Sequence, residues 1–175
     1  MDNATIHHTF SELQLDAAAI VDALCKQDRR VLLFGAMGTG KSTLAAQIAA
    51  TLSLSGRSCW CLNADPGSPA FGPPGCVSIA RWQQGAWELV DYAALCTLDA
   101  GRFRLPLVSA VRMLAKQLPG ATVLIDLPGV VRGTGGRELL PALCEAAAAD
   151  TVLALTAADR PPPLLDELHS LAADI

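Results

Sequence analysis

Charge is scarce in this chain. Only 17% of its 175 residues are Asp, Glu, Lys or Arg, against 51% hydrophobic. That balance excludes a disordered tail or a charge-rich linker, neither of which buries enough apolar surface to fold. Long apolar runs are missing too. The longest stretches without a charged residue, 42–56 and 66–80, have 15 residues each and contain Gly, Ser or Gln. A bilayer-crossing helix needs roughly 18–20 apolar residues, so no membrane span is expected. The opening MDNATIHHTF has neither a basic n-region nor an apolar h-region, which predicts no secretory signal. Six cysteines are present (Cys25, Cys59, Cys61, Cys76, Cys96, Cys144), yet none forms a CxxC pair and no Cys/His group has zinc-ligand spacing. Reduced thiols in a cytoplasmic protein are the expectation. The His7-His8 pair reads as part of a tail, not as a metal site.

Positive charge is not in excess either. The net charge of −4 argues against a surface coated for nonspecific nucleic-acid binding. The distribution is uneven, however. Residues 81–137 hold seven basic and four acidic side chains, a net of +3, while residues from Glu138 onward hold seven acids and Arg160 alone. A basic middle is either ordinary surface charge or a receptor for an anionic substrate.

What is present is an alternation of strand-like and helix-like segments. Helices are expected at 13–26, 42–54, 105–117 and 138–149, with a last helical segment running toward the C-terminus. Strands are expected at 30–34 (RVLLF), 58–63 (SCWCLN), 122–126 (TVLID) and 151–156 (TVLALT). Shorter strands at 77–80 and 88–92 would flank a turn at 83–85. Between the second strand and that pair lies a loop, 65–75, with four prolines and three glycines. No internal repeat is visible. This order implies an α/β protein with a mostly parallel sheet sandwiched between helices. One nucleotide-binding domain is expected over 1–175, with its core at 29–157, a leading segment at 1–28 and a C-terminal segment at 158–175.

The strongest motif is Gly35-Ala36-Met37-Gly38-Thr39-Gly40-Lys41-Ser42, a full match to GxxxxGK[ST]. Four fixed positions arise by chance in about one chain in a hundred of this length. The match also follows an expected strand and opens an expected helix, as its mechanism requires. The glycines let backbone N–H groups wrap a phosphate chain, and the helix start adds partial positive charge. Lys41 is expected on the β- and γ-phosphates and Ser42 on Mg²⁺, which makes this a P-loop NTPase fold.

Such a loop needs a carboxylate for metal or nucleophile. Asp65 and Asp126 both stand at the ends of apolar strands, where an open α/β sheet presents its ligands; either could instead serve as a cap or turn residue. Asp126-Leu127-Pro128-Gly129 has the DxPG form of a GTPase switch turn. Against a GTPase stand the long gap from Lys41 and the missing guanine-reading N/TKxD; Thr156-Ala157-Ala158-Asp159 is the nearest string and lacks its lysine.

The stretch from Leu62 to Ile79, LNADPGSPAFGPPGCVSI, resembles the D-x-D-x-G-Q…PPG-x-V-S-L block of the Clp1/Grc3/Nol9 family of polynucleotide 5′-hydroxyl kinases. The later LIDLPGVVRG, from Leu124 to Gly133, looks like that family's clasp. With the P-loop, the likeness is collinear over roughly residues 30–155. The resemblance implies ATP-dependent transfer of the γ-phosphate to a 5′-hydroxyl of RNA or DNA. By position it gives Lys41 and Ser42 the P-loop roles and puts Thr43 on the α-phosphate. Asp65 becomes the general base that also orients Mg²⁺ through water. Asp126, Pro128 and Gly129 become the clasp that fixes phosphates and substrate end.

Several positions depart from that pattern: Asn63 for the first acid, Ser68 for the glutamine, Leu127 for the clasp threonine and Val130 for the clasp aromatic. Trp82 and Trp87 would either stack a base or join the core. The family's lid arginine pair has no counterpart; Arg160 alone follows the last strand, as in a truncated piece or a reduced relative. Three readings stay open beside the kinase: a non-catalytic ATP-binding interaction module in RNA processing, a GTPase and a small-molecule kinase. Protein partners leave no trace in the residues.

Overall fold

The computed structural model describes residues 17–156 and 160–174. His7-His8, the 13–16 portion of the first expected helix and residues 157–159 of the TAAD string lie outside the described residues. The elements run α1 (Ala17–Lys26), β1 (Arg30–Phe34), α2 (Lys41–Leu54), β2 (Cys59–Asn63), β3 (Cys76–Gln83), β4 (Ala86–Ala94), α3 (Arg104–Ala115), β5 (Thr122–Asp126), α4 (Gly133–Ala147), β6 (Thr151–Ala154) and α5 (Leu165–Asp174).

One six-stranded sheet has the order β4-β3-β2-β5-β1-β6. Strands β2, β5, β1 and β6 are parallel, and the β3–β4 hairpin adds antiparallel to β2. The three strands inside the parallel block are apolar through their middles and almost wholly buried, as strands covered on both faces must be. Their alternation divides the core into two layers. Val31, Leu33, Cys59, Cys61 and Leu124 face Val21 and Leu24 of α1 and Ala45, Ile48, Ala49 and Leu52 of α2. Leu32, Phe34, Leu62, Val123 and Ile125 face Leu107, Val111 and Leu114 of α3 and Leu139, Leu140 and Leu143 of α4.

The hairpin is longer than its sequence suggests. Strands expected at 77–80 and 88–92 extend to eight and nine residues, because cross-strand pairing carries polar residues such as Arg81 and Gln83 into the ladder. Gln83 pairs with Ala86 across a two-residue turn in which Gln84 and Gly85 both have positive φ (50° and 82°), the geometry that matches strand twist. Helix α4 starts five residues before the expected 138: its first turn is GTGG, a poor helix-forming string that tertiary packing nonetheless winds, burying Gly136. Helix α3 is one residue earlier at its start and two shorter at its end than expected, and β6 stops at Ala154.

Charge asymmetry along the chain resolves into pairing. Arg104, Arg112 and Arg137 of the basic middle meet Glu138, Glu145 and Glu167 of the acidic end, and Arg81 meets Glu88. No helix among the described residues is long and apolar enough to cross a membrane.

A less visible tie is Arg30. Its guanidinium donates to the carbonyls of Ala147 (2.9 Å) and Ala115 (3.3 Å), the last residues of α4 and α3. One side chain thus caps two helix C-termini, where cations are favoured. Arg30→Met is expected to cost about 1.5–3 kcal/mol, read as a lower urea midpoint with unchanged slope; a midpoint equal to that of the parent would show that the two caps contribute nothing.

Candidate functional site

The carboxyl ends of the parallel strands lie together, and the strand order decides what meets there. Register aligns Asp126 with Leu33 on one side and Asn63 on the other. Asp126 therefore sits beside the strand that feeds the P-loop. The hydroxyl of Ser42, in the first turn of α2, donates to Asp126 Oδ2 at 2.5 Å. Asp126 Oδ1 is buried without a hydrogen-bond partner. Burial raises the Asp126 pKa above the usual carboxylate value; the Ser42 hydrogen bond and the Lys41 charge pull it back, and the Asp65 charge adds to the rise.

Lys41 is buried, and its Nζ donates to the carbonyls of Gly35 (3.0 Å) and Ala36 (3.1 Å). The ammonium thus folds back onto the loop that it would leave to meet phosphates. Gly38 and Gly40 hold left-handed backbone at the crest of the loop (φ 79° and 90°), and Thr39 braces it through Ala36 O. Met37 stands at the tip, 79% exposed. Thr43 follows within α2.

The 65–75 loop is ordered by its polar residues. Buried Asn63 accepts a bond from the N–H of Asp65 and donates to Phe71 O. Asp65 Oδ1 accepts from the N–H groups of Gly67 (2.9 Å) and Ser68 (3.2 Å). The N–H of Gly75 closes the loop onto Pro66 O. Asp65 thus fulfils the turn role open to it, yet it also lines a groove with a cavity volume of about 650 Å³.

That groove brings together Met37, Asp65, Ser68, Pro128 and Gly129 with the 97–101 turn. Two close approaches set its walls. A Cβ on Gly129 would stand 2.6 Å from the backbone nitrogen of Met37, and one on Gly67 would stand 2.8 Å from Leu98 O. The clasp segment therefore touches the P-loop directly, and only glycine fits there. The 97–101 turn is the part of the site that sequence reading missed. Its signal was present in Thr97-Leu98-Asp99-Ala100-Gly101: Asp99 Oδ1 accepts from Arg102 N, Asp99 N donates to Thr97 Oγ1, and Asp99 O accepts from Phe103 N.

Ser42 meets Asp126 rather than Asp65. With an unpartnered buried oxygen beside that pair, Ser42 and Asp126 fit a hard divalent cation, which takes one or two protein oxygens and completes its shell with phosphate and water. Among the described residues no trio of His, Cys, Asp or Glu could hold a metal by itself. Trp82 and Trp87 lie elsewhere: their rings pack edge to face at 4.9 Å, with Phe71 at 5.6 Å from Trp87. They join the layer under α2, at the far end of the hairpin from the Asn63–Ser78 pair.

Comparison with known proteins bears on this geometry. The family described as mRNA cleavage and polyadenylation factor CLP1 P-loop matches residues 35–94, about a third of the chain. No curated protein matches it. The structure of a wild-type Clp1p–Pcf11p complex is similar, with a TM-score of 0.69 at 16% identity over 86% of this chain and 42% of that one. So is a structure addressing the extended Pcf11p–Clp1p interface and ATP loss in a glycine-to-arginine mutant, with a TM-score of 0.68 at 16% identity over 86% and 43%. The fold is that of an α/β P-loop NTPase. The chain spans about two-fifths of the length of these solved relatives.

Two outcomes are expected at the site. A carboxyl whose pKa is raised on folding stabilises the fold while protonated, and that contribution is lost as pH rises through the raised value. Asp126→Asn should then melt about 2–4 °C above the ligand-free parent at neutral pH, the gap closing toward about pH 4, while Mg²⁺-dependent nucleotide binding weakens. A lower melting point would contradict the burial cost. Gly129→Ala should force the clasp off Met37 and weaken binding of a fluorescent ATP analogue about tenfold or more; unchanged affinity would mean that the contact plays no part in nucleotide binding.

Proposed function

We propose that the chain is a member of the Clp1-type P-loop family, whose model matches residues 35–94, and that it binds ATP with Mg²⁺ and transfers the γ-phosphate to the 5′-hydroxyl end of a polynucleotide. The observation that carries this reading is the groove shared by Asp65, Met37 and Pro128-Gly129. It sets a carboxylate across from the tip of the phosphate-binding loop, with room for an acceptor between them.

Each residue then has a defined task. The peptide N–H groups from Gly38 to Thr43 surround the phosphates, with Thr43 at the α-phosphate. Lys41 exchanges the carbonyls of Gly35 and Ala36 for the β- and γ-phosphates. Ser42 and Asp126 would hold Mg²⁺, which would neutralise phosphate charge. Two backbone N–H bonds fix one oxygen of Asp65, and the other oxygen is outside those bonds in a residue that lines the groove. That oxygen accepts the proton of the acceptor hydroxyl as the hydroxyl oxygen bonds to the γ-phosphorus; the bond to the bridging oxygen breaks and ADP leaves. Pro128 and Gly129 hold the acceptor end. Phosphoryl transfer asks for positioning and charge neutralisation above all, and a rigid β5 end supplies the first.

A second reading has its own observation. Asp65 is engaged in holding its loop, and Ser68, Leu127 and Val130 stand where the resemblance puts a glutamine, a threonine and an aromatic. On this reading ATP is retained without turnover and steadies a surface for a protein partner in RNA processing, consistent with solved relatives that are complexes with Pcf11p.

Transfer of label from γ-³²P-ATP to a short 5′-hydroxyl oligonucleotide separates the two, with a 5′-phosphorylated oligonucleotide and a GTP donor as controls. Labelling of the hydroxyl end alone is expected. Lys41→Ala should abolish ATP binding. Asp65→Asn should lower kcat about 10²–10⁴-fold with ATP affinity within about twofold of the parent. ATP binding in calorimetry without any labelling would overturn the kinase and leave the interaction module.

A further inference from the structure

We propose that a second groove, between the start of α3 and the middle of α4, receives the next nucleotide of a single-stranded polynucleotide whose 5′ end lies in the first; this rests on the kinase reading for that end. The second groove has a cavity volume of about 420 Å³ and is lined by Arg102, Phe103, Arg104, Leu105 and Glu138 among others. The two grooves are contiguous: Gly101 lines one and Arg102 the other. Gly101 packs against Val130 at the saddle between them, where a Cβ on Gly101 would meet the Val130 methyls at 3.7 and 3.8 Å. A strand held at Asp65 and Gly129 would reach the second groove over this saddle.

The chemistry across the saddle suits a nucleotide. Phe103 is 42% exposed, an aromatic face open to a base. Arg104 is committed: it bonds Glu138 (2.7 Å) and Gly101 O (2.6 Å), fixing the groove wall. Arg102 is exposed, and among the described residues its guanidinium makes no ion pair or hydrogen bond. Exposed Arg132, two residues past Val130, is in the same state. Four of the basic residues between 81 and 137 are paired with carboxylates; Arg102, on the wall of the second groove, keeps its charge. An exposed aromatic beside an uncommitted arginine is a pattern for stacking a base and holding its phosphate.

Anisotropy of a 3′-fluorescein 5′-hydroxyl tetranucleotide, with Mg²⁺ and an ATP analogue that cannot be cleaved, reads this groove without turnover. Phe103→Ala is expected to weaken binding about tenfold and Phe103→Trp to retain it. Arg102→Ala is expected to reduce the slope of log affinity against log salt by about 0.7. Neither Phe103→Ala nor Arg102→Ala should alter the KM for a nucleoside 3′-monophosphate acceptor, which reaches only the first groove. Parent-like binding by Phe103→Ala, or no binding of the tetranucleotide by the parent, overturns the second groove. Tetranucleotide binding that weakens as described, with no label transferred by the parent, supports the groove and overturns the kinase instead.

Discussion

The bond from Ser42 to Asp126 ties the start of α2 to the end of β5, and the site depends on it. It spans 84 residues of sequence and exists only because β5 threads between β1 and β2. Had the chain placed β2 next to β1, the P-loop serine would face Asn63, a neutral amide already committed to its own loop. Strand order therefore selects which carboxylate meets the phosphate loop. The cost is a buried carboxylate with one oxygen unpartnered, which the fold tolerates because Ser42 and Lys41 oppose its desolvation. Buried polar groups left unsatisfied in this way mark positions where a ligand completes the bonding.

Around that tie, rigidity comes from backbone contacts. Gly129 lies against Met37 and Gly67 against Leu98, both closer than any side chain would permit. The loop that carries Asp65 has no regular structure, yet Asn63, Asp65 and Gly75 close it with internal hydrogen bonds. A loop fixed by its own polar groups can present a carboxylate as accurately as a strand end does. This explains how one residue can be both a turn residue and a candidate base: two N–H groups hold one oxygen, and the other is outside those bonds.

Much of this was legible in the residues. Buried strands such as RVLLF and TVLID announce themselves because both faces are covered, so apolar content needs no periodicity to be recognised. The P-loop is legible because its chemistry is local: the spacing itself makes the phosphate cradle. The pairing of Ser42 with Asp126, by contrast, is a consequence of topology and has no signature in either segment. The hairpin strands were undersized in sequence reading because polar residues on an edge look like loop. The start of α4 was hidden because Gly-Thr-Gly-Gly has poor helix propensity and is wound only by packing against Val130 and Val131. The 97–101 turn escaped notice although Asp and Gly at that spacing are turn-forming; nothing in its own residues says that it faces Asp65.

The distribution of charge carries the last step. Along the sequence the basic middle looks like a binding surface; in space most of it is consumed. Arg104, Arg112 and Arg137 meet acids of the last third, and such exposed pairs contribute only about 0–1 kcal/mol each. Their effect is subtractive. By neutralising the flanks of α3 and α4 they leave Arg102, next to Gly101, as the uncommitted positive charge on the groove wall. An acidic protein can then attract an anionic strand to one place without the broad positive field that would bind nucleic acid indiscriminately. A net charge of −4 does not by itself oppose an anionic strand: attraction is set by which cations remain unpaired, and Arg102 is one of them, on the wall of the groove.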